Sequence, residues 1–172
     1  MQILVRSAWG RITRAAAVAS VALAGAIASV SVAAVPAVAA GQPWDTEIRN
    51  VANGKCLDAA GGNRVIVWAC NGGDNQQWYF EESYPGATYT IHNRGAGTRG
   101  QCLDWAGGSR VILWACNGGT NQKWTLRTTH QGSTVRYQWV NYATNAVLEW
   151  SGDNNVGTWH ANGGDNQSWI YT

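Results

Sequence analysis

The sequence predicts an all-β protein with three-fold pseudosymmetry. A stretch that reads CLDAAGGNRVIVWACNGGDNQQW at Cys56–Trp78 returns as CLDWAGGSRVILWACNGGTNQKW at Cys102–Trp124. It returns again, altered, as VLEWSGDNNVGTWHANGGDNQSW at Val147–Trp169. A unit repeated at a fixed period cannot bury its own apolar face, so it shares a core with its copies.

Each copy contains short apolar or alternating segments separated by Gly and Asn turns, with no long run of helical periodicity after residue 41. Many short strands at regular spacing are typical of an all-β barrel or sandwich. The variable linkers 81–87 and 128–134 are predicted as surface loops. The predicted strands are Ile48–Asn50, Val65–Trp68, Trp78–Phe80, Tyr89–Asn93, Val111–Trp114, Trp124–Leu126, Val135–Asn141 and Trp169–Tyr171.

Residues 1–40 have the pattern of a secretory signal peptide. Three arginines precede an apolar run rich in Ala, Val and Ser, which is followed by Pro36 and small residues. A retained membrane anchor is the alternative, but a spanning helix needs about 20 strongly apolar residues. We therefore expect a secreted, extracellular protein with no membrane span after cleavage. Its single domain is predicted at 41–172, with repeats at about 46–80, 89–126 and 137–172.

Without this leader the chain is close to neutral. Nine Lys and Arg residues then stand against ten Asp and Glu residues, a net charge of −1, whereas the whole chain carries +2. Phosphate binding requires a clustered basic stripe, which the sequence lacks. We expect no nucleic-acid partner.

The four cysteines form two pairs of identical spacing, and the third repeat lacks both members of the pair. Joint loss is what a bonded pair predicts, and it selects one of three possible connectivities. Metal ligation is the alternative, which the wide spacing and the scattered histidines disfavour, so we predict no metal or cofactor. The predicted disulfides, formed in an oxidising compartment, are Cys56–Cys70 and Cys102–Cys116, with Val147 and Ala161 at the matching positions.

A register follows if each disulfide joins directly opposite residues of an antiparallel hairpin. An acid then lies opposite an indole in every repeat. Because side chains alternate between faces along a strand, the acid and the indole share the face of the disulfide. The predicted pairs are Asp58 with Trp68, Asp104 with Trp114, and Glu149 with Trp159.

A carboxylate beside an indole suits a sugar. The carboxylate accepts hydrogen bonds from two neighbouring hydroxyls, and the indole offers a flat apolar face to the C–H surface of a pyranose. An amide at the rim, such as Asn71 or Asn75, can serve a third hydroxyl. The alternative is an acid that closes a turn and a tryptophan that fills the core, but three repetitions favour a site. For Trp78, Trp124 and Trp169 of the Gln-x-Trp endings we predict barrel core.

Cys-Leu-Asp, then Trp-Ala-Cys, then Asn-x-x-x-Asn-Gln-x-Trp, three times over, resembles the ricin B-type lectin family of carbohydrate-binding modules. The resemblance covers nearly everything after the leader. It implies a β-trefoil, a six-stranded barrel capped by three hairpins, with one shallow pocket per repeat for galactose, xylose or related glycans. The Asn-Gly-Gly-x-x-Gln-x-Trp stretch is also similar to actinohivin-like lectins, which bind mannose-rich glycans.

By motif position, the resemblance implies a set of sugar-binding residues in each repeat. The hydroxyl-binding acid falls on Asp58, Asp104 and Glu149, and the stacking aromatic on Trp68, Trp114 and Trp159. The polar pair falls on Asn75 and Gln76, Asn121 and Gln122, and Asn166 and Gln167, with the glutamines bracing the site from behind.

This sequence departs from the family in one position of each site. The family often has Gln two residues before the stacking aromatic, where this chain has Ile66, Ile112 and Gly157. Our candidates to replace that amide are Asn71, Asn117 and Asn162. We rank the third site weakest, because Glu149 is one methylene longer and because Gly157 and the missing disulfide loosen its hairpin.

The predicted function is that of a non-catalytic lectin with up to three shallow sites for glycans or polysaccharides of galactose, xylose or mannose type. An alternative is a β-trefoil inhibitor or toxin that acts on a protein through its loops, for which Trp68 and Trp114 would be dispensable. A glycoside hydrolase is a third possibility, but hydrolysis usually needs two carboxyl groups flanking one bond. The repeat acids are expected to be spread around a three-fold axis, so we predict no enzymatic activity.

Overall fold

The structure, a computed structural model, describes residues 45–84 and 88–172, and the predicted signal peptide and residues 41–44 lie outside these ranges. The described part is all β, and it contains no helix that is long and apolar enough to cross a membrane. Its strands are β1 (Ile48–Asn50), β2 (Cys56–Ala59), β3 (Val65–Trp68), β4 (Trp78–Tyr84), β5 (Thr88–Asn93), β6 (Gln101–Trp105), β7 (Val111–Ala115), β8 (Trp124–Gln131), β9 (Thr134–Asn141), β10 (Val147–Trp150), β11 (Val156–Trp159) and β12 (Trp169–Tyr171).

Six of these strands form a closed antiparallel barrel. The order around it is β1, β12, β9, β8, β5 and β4. The ring closes between β4 and the start of the chain, where the main chains of Thr46 and Trp78 exchange hydrogen bonds of 3.0 and 2.9 Å. The other six strands pair as three hairpins, β2–β3, β6–β7 and β10–β11. Each repeat supplies four strands, so the fold is a β-trefoil, as predicted.

The tryptophans of the Gln-x-Trp endings lie in the barrel core, which confirms their predicted place. All three are fully buried. Each indole Nε1 also donates to a main-chain carbonyl in the first strand of its own hairpin, which ties the last strand of a repeat to its cap. The donor–acceptor pairs are Trp78 with Leu57 (3.0 Å), Trp124 with Leu103 (3.0 Å) and Trp169 with Leu148 (3.1 Å).

The three hairpins are joined to one another in a ring. The turn of each hairpin offers a carbonyl to a main-chain N–H in the second strand of the next hairpin. These bonds run from Val67 to Asn154 (2.9 Å), from Leu113 to Asn63 (3.0 Å) and from Thr158 to Ser109 (3.0 Å). The cap is therefore one hydrogen-bonded unit.

The predicted disulfides are confirmed. Cys56 is bonded to Cys70 and Cys102 to Cys116, with Cα atoms 5.1 and 5.2 Å apart. In the third repeat, Val147 fills the corresponding buried position.

The prediction that linkers 81–87 and 128–134 are loops was wrong for residues 81–84 and 128–131, which lie in strands, whereas residues 85–87 lie outside the described ranges. Strand β4 continues to Tyr84 and β5 begins at Thr88, while β8 and β9 extend to a two-residue turn at Gly132 and Ser133. The residues of β8 beyond Leu126 are exposed, so no alternation of apolar and polar side chains marks them as a strand. Pairing of the two main chains and the β-preference of threonine are sufficient to form the hairpin.

Candidate functional site

The acid and the indole of each repeat share a hairpin face, but they are not directly opposite each other. Asp58 pairs with Ile66, and Trp68 pairs with Cys56. The predicted register was therefore wrong by two residues. Cys70 lies beyond the end of β3, so the disulfide closes the open end of the hairpin instead of linking opposite residues. A shift of two residues keeps each side chain on its face, which makes Asp58 and Trp68 diagonal neighbours.

The other hairpins have the same register. Asp104 pairs with Ile112 and Trp114 with Cys102, while Glu149 pairs with Gly157 and Trp159 with Val147. The positions where the family often has Gln are thus directly opposite the acids, so an amide there could have reached the same ligand.

Each acid is covered by two side-chain amides. Asp58 is only 4% exposed, and its Oδ2 accepts hydrogen bonds of 2.8 Å from both Asn75 Nδ2 and Gln76 Nε2. Among the described residues none donates to its Oδ1, which leaves this oxygen for a ligand hydroxyl. In repeat 2 Asn121 Nδ2 donates to both oxygens of Asp104 at 2.9 Å, and Gln122 Nε2 donates to Oδ2 at 2.8 Å. In repeat 3 Oε2 of Glu149 accepts from Asn166 at 3.2 Å and from Gln167 at 3.0 Å.

The glutamine of each repeat holds three parts of the site together. Gln76 is fully buried, and its Nε2 also donates to the Ala69 carbonyl at 3.0 Å. Its Oε1 accepts from the main-chain N–H of Asn71 at 2.8 Å. The structure thus places the glutamines behind the acids, at the position expected for a brace. Gln122 makes the same contacts with Ala115 and Asn117, and Gln167 with His160 and Asn162.

The indoles beside the acids are on the surface. Trp68, Trp114 and Trp159 are 49%, 51% and 51% exposed, whereas the tryptophans of the barrel core are 0% exposed. Trp68 follows Val67, which faces the core, and alternation turns its own side chain outward. The alternative interpretation of these residues as core tryptophans is therefore wrong.

Shallow hollows lie over two of these faces. One of about 390 Å³, named here the Trp68 hollow, is lined by Asp58, Arg64, Ile66, Trp68, Asn71 and Asn75, with Ala60. The corresponding hollow in repeat 3, of about 480 Å³, is lined by Glu149, Trp159, Asn162 and Asn166 and also by Ser109 from the neighbouring hairpin. In both, one carboxylate, the exposed indole and two asparagines converge, and in repeat 3 Trp150 adds a second indole to the lining.

A family profile described as the ricin-type beta-trefoil lectin domain matches residues 44–169. The chain belongs to this family. A designed three-fold symmetric protein, ThreeFoil, is 29% identical to this ricin-type domain, with a TM-score of 0.62 over 74% of this chain and 96% of that one. The ricin B-like lectin of Macrolepiota procera, solved with lactose, is 21% identical, with a TM-score of 0.59 over 76% and 96% of the two chains.

SeviL, solved with the asialo-GM1 saccharide, also has the fold of this ricin-type domain. It is 21% identical, with a TM-score of 0.61 over 76% of this chain and 98% of that one. No significant match was found among curated protein sequences.

The asparagines proposed to replace the missing glutamine also close a turn of the main chain. Asn71 Oδ1 accepts a hydrogen bond of 2.9 Å from the main-chain N–H of Gly73, which closes an Asx turn. Asn117 and Asn162 close the same turn onto Gly119 and Gly164. Their oxygens are thus engaged, and only their Nδ2 groups remain to contact a ligand as donors.

Sequence reasoning missed three buried asparagines behind the site. Asn93 Nδ2 donates to the main-chain carbonyl of Asn75 at 2.9 Å and thereby fixes the turn that carries the site amide. Asn50 holds Asn166 and Asn141 holds Asn121 in the same way, each across a boundary between repeats. The sequence feature that could have revealed them is the asparagine at the end of the first strand of every repeat.

Gly157 has a packing role that the sequence did not show. A Cβ atom at this buried position would lie 2.8 Å from the main-chain oxygen of Ser109, so glycine permits the close approach of the neighbouring turn. That approach brings Ser109 into the third site. The weak ranking of this site stays a prediction.

His92 lies beside the second disulfide and not beside an acid of a site. Its ring stacks on Tyr79 with centroids 4.7 Å apart, and Nε2 lies 3.3 Å from Glu81. Burial lowers the pKa of His92, and Glu81 opposes this effect in part. Its Nδ1 lies 3.7 Å from both sulfurs, but these sulfurs are bonded to each other and offer no thiolate to a metal.

Proposed function

We propose that this protein is an exported, non-catalytic lectin that binds glycans through three shallow sites, one per repeat. The observation that carries the proposal is the three-fold recurrence of a half-exposed indole diagonal to an acid that is held by two side-chain amides, one of them from a buried glutamine. Large apolar side chains that are exposed at equivalent positions point to a binding role, because a protein gains stability when it buries such side chains in its core.

The geometry supports a specific mode of binding in repeat 1. The indole of Trp68 offers its face to the C–H surface of a pyranose. Oδ1 of Asp58 accepts from one or two ring hydroxyls, because its Oδ2 is already held by the amides. The Nδ2 group of Asn71 donates to a further hydroxyl. Such open sites bind weakly one at a time, and three of them on one body gain affinity on a polymer or cell surface.

Binding without hydrolysis is supported by the arrangement of the acids. Each repeat contributes one acid to its own hairpin face, and that acid is held by amides. Glycoside hydrolysis usually needs a second carboxyl group across the same bond. The hollows of repeats 1 and 3 each have one carboxylate in their lining.

Export and sugar class are part of the proposal. The two disulfides are typical of proteins that fold in an oxidising compartment. Galactose-, xylose- and mannose-type glycans are the first ligands to test. The solved neighbours bound to lactose and to the asialo-GM1 saccharide support including galactose-containing glycans among them.

A glycan array with the domain from Gly41 tests this function. We expect binding to fall stepwise in Trp68→Ala, Trp114→Ala and Trp159→Ala and to vanish in the triple variant, because stacking on an exposed indole is lost with little effect on the core. Asp58→Ala, Asp104→Ala and Glu149→Ala and their triple combination test the acids in the same way.

Tyr142→Ala is the matched control, because Tyr142 is 54% exposed and lies outside the three hairpins. It should bind as the native protein does, and circular dichroism checks that every variant is folded. A folded native protein that binds no glycan would overturn the proposal and favour a protein target of the loops.

A further inference from the structure

The three hairpins differ at the last residue of their first strand. Repeats 2 and 3 have Trp105 and Trp150 there, whereas repeat 1 has Ala59. Trp105 Nε1 donates to the main-chain oxygen of Gly108 at 2.7 Å, and Trp150 Nε1 donates to that of Asp153 at 3.0 Å. Both indoles therefore cover the turn of their own hairpin, and Ala59 is too small to do so.

A hollow of about 330 Å³, named here the Ala59 hollow, lies beside the turn of repeat 1. Its walls include Ala59, Gly61 and Gly62 of the hairpin and Gly97 of the loop after β5. A Cβ atom built on any of these glycines meets no atom within 4 Å. At these three glycines the wall is bare main chain, which a ligand can approach closely. The volume lies at the lower end of the range for small-molecule pockets, about 300–1,000 Å³.

The Ala59 hollow adjoins the Trp68 hollow. Asn75, whose Nδ2 donates to Asp58, is part of the lining of both. The Ala59 hollow is also lined by Asp74, an exposed acid that can accept hydrogen bonds from two hydroxyls. A chain of sugars whose first residue stacks on Trp68 can therefore continue past Asn75 toward Asp74.

We propose that the Ala59 hollow is a second sugar subsite, so that repeat 1 binds an oligosaccharide of two or more residues. This proposal rests on the proposed lectin function and adds to it that the ligand of repeat 1 is an oligosaccharide. Trp105 and Trp150 occupy the corresponding position in repeats 2 and 3, which restricts those repeats to the sugar residue that stacks on the exposed indole.

The test is a titration with three ladders, each of which is a series of one sugar in increasing chain length. The probes are galactose, xylose and mannose and their β1,4-linked di-, tri- and tetrasaccharides, titrated calorimetrically into Asp104→Ala/Glu149→Ala, in which only repeat 1 keeps its acid. For the sugar that binds, we expect Kd to fall roughly tenfold or more between the monosaccharide and its di- or trisaccharide.

Ala59→Trp in that background copies the residue of the other repeats, and its indole can donate to the Gly62 carbonyl. It should bind the monosaccharide as the parent does and lose the gain with chain length. Gly97→Phe blocks the hollow from the opposite wall, at a position with open space around Cβ and no positive φ, and should have the same effect if Ala59→Trp does not fold. Ala143→Phe, in the exposed loop after β9, is the matched control and should keep the gain.

The outcomes separate the two proposals. If a sugar binds and affinity is independent of chain length, or if the gain persists in the folded blocking variants, the subsite is refuted and the lectin function stands. If the native protein binds glycans on the array but no member of any ladder, the subsite alone is refuted. If it binds no glycan in either experiment, the lectin function fails and the subsite fails with it.

Discussion

Repeats 1 and 3 contain the same arrangement of acid, indole and amides, but different contacts stabilise it. In repeat 1 a disulfide closes the hairpin, and Asp58 receives amide bonds of 2.8 Å. In repeat 3 Val147 takes the place of the first cysteine, and Glu149 receives bonds of 3.2 and 3.0 Å. The exposed indole is nevertheless equally exposed in both, at 49% and 51%. We therefore expect the buried glutamine, which both repeats share, to position the site and the disulfide mainly to stabilise the fold.

The largest effect is expected from making repeat 1 like repeat 3. Cys56→Val with Cys70→Ala copies the residues of the third hairpin and should lower the free energy of unfolding by about 3 kcal/mol, because the unfolded chain regains the entropy of a loop of this length. Urea denaturation measures this loss. Glycan binding through repeat 1 should change less than about threefold, which is under 1 kcal/mol. A folded variant that no longer binds through repeat 1 would contradict the comparison.

Removal of the shared glutamine should have the next largest effect. Gln76→Leu and Gln167→Leu each remove one of the two amide donors to the acid and leave a carbonyl and an N–H without their partner, at a cost of about 2 kcal/mol. Glycan binding at the altered repeat should fall at least about tenfold, since the asparagine alone then holds the acid.

Gln77→Leu is the control for that experiment. Gln77 follows Gln76 directly, is half-buried, and its side chain has no hydrogen bond to the described residues. It should change neither unfolding nor binding. Equal losses in Gln76→Leu and Gln77→Leu would show that the glutamine network does not position the site.

The reverse exchange should have a smaller effect of opposite sign. Val147→Cys with Ala161→Cys gives repeat 3 the cysteine spacing of the other repeats and should stabilise the protein by about 1 kcal/mol, less than the entropic limit because native geometry must adjust. Thermal unfolding with and without reductant measures the gain. A large increase in sugar affinity at repeat 3 would show that its hairpin is loose, as its ranking from the sequence assumed.

The smallest expected effect is a pH dependence of stability that arises from His92 in repeat 2. His92 has Arg49 and Val140 as its counterparts in the other repeats. Burial lowers the pKa of His92 in the folded protein. Just below about pH 6.5 the ring of His92 therefore binds a proton in the unfolded chain but stays neutral in the folded protein. Stability is therefore lost as pH falls from about 6.5 toward the folded pKa. Urea unfolding at pH 7 and 5.5 should show a smaller loss in His92→Phe, which keeps the stack on Tyr79. An unchanged loss would contradict this role.

The sequence predicted what repetition makes visible. Three copies at spacings of 46 and 45 residues predicted the symmetry, and the loss of both cysteines in repeat 3 predicted the disulfides. It could not predict the register, because no alternating pattern shows that β3 ends at Trp68 and that Cys70 lies beyond the paired residues. Nor could it show that Asn50, Asn93 and Asn141 hold the turns of adjacent repeats, since such contacts join residues that are distant in sequence.

The ring of main-chain bonds between the hairpins has neither a first nor a last member. In an open array of repeats the terminal units need polar caps and can fray, but here every hairpin both donates to one neighbour and accepts from the other. Opening one hairpin therefore removes a bond from each of the other two. The amide protons of Val67, Leu113 and Thr158 should consequently exchange with solvent together, as one cooperative unit.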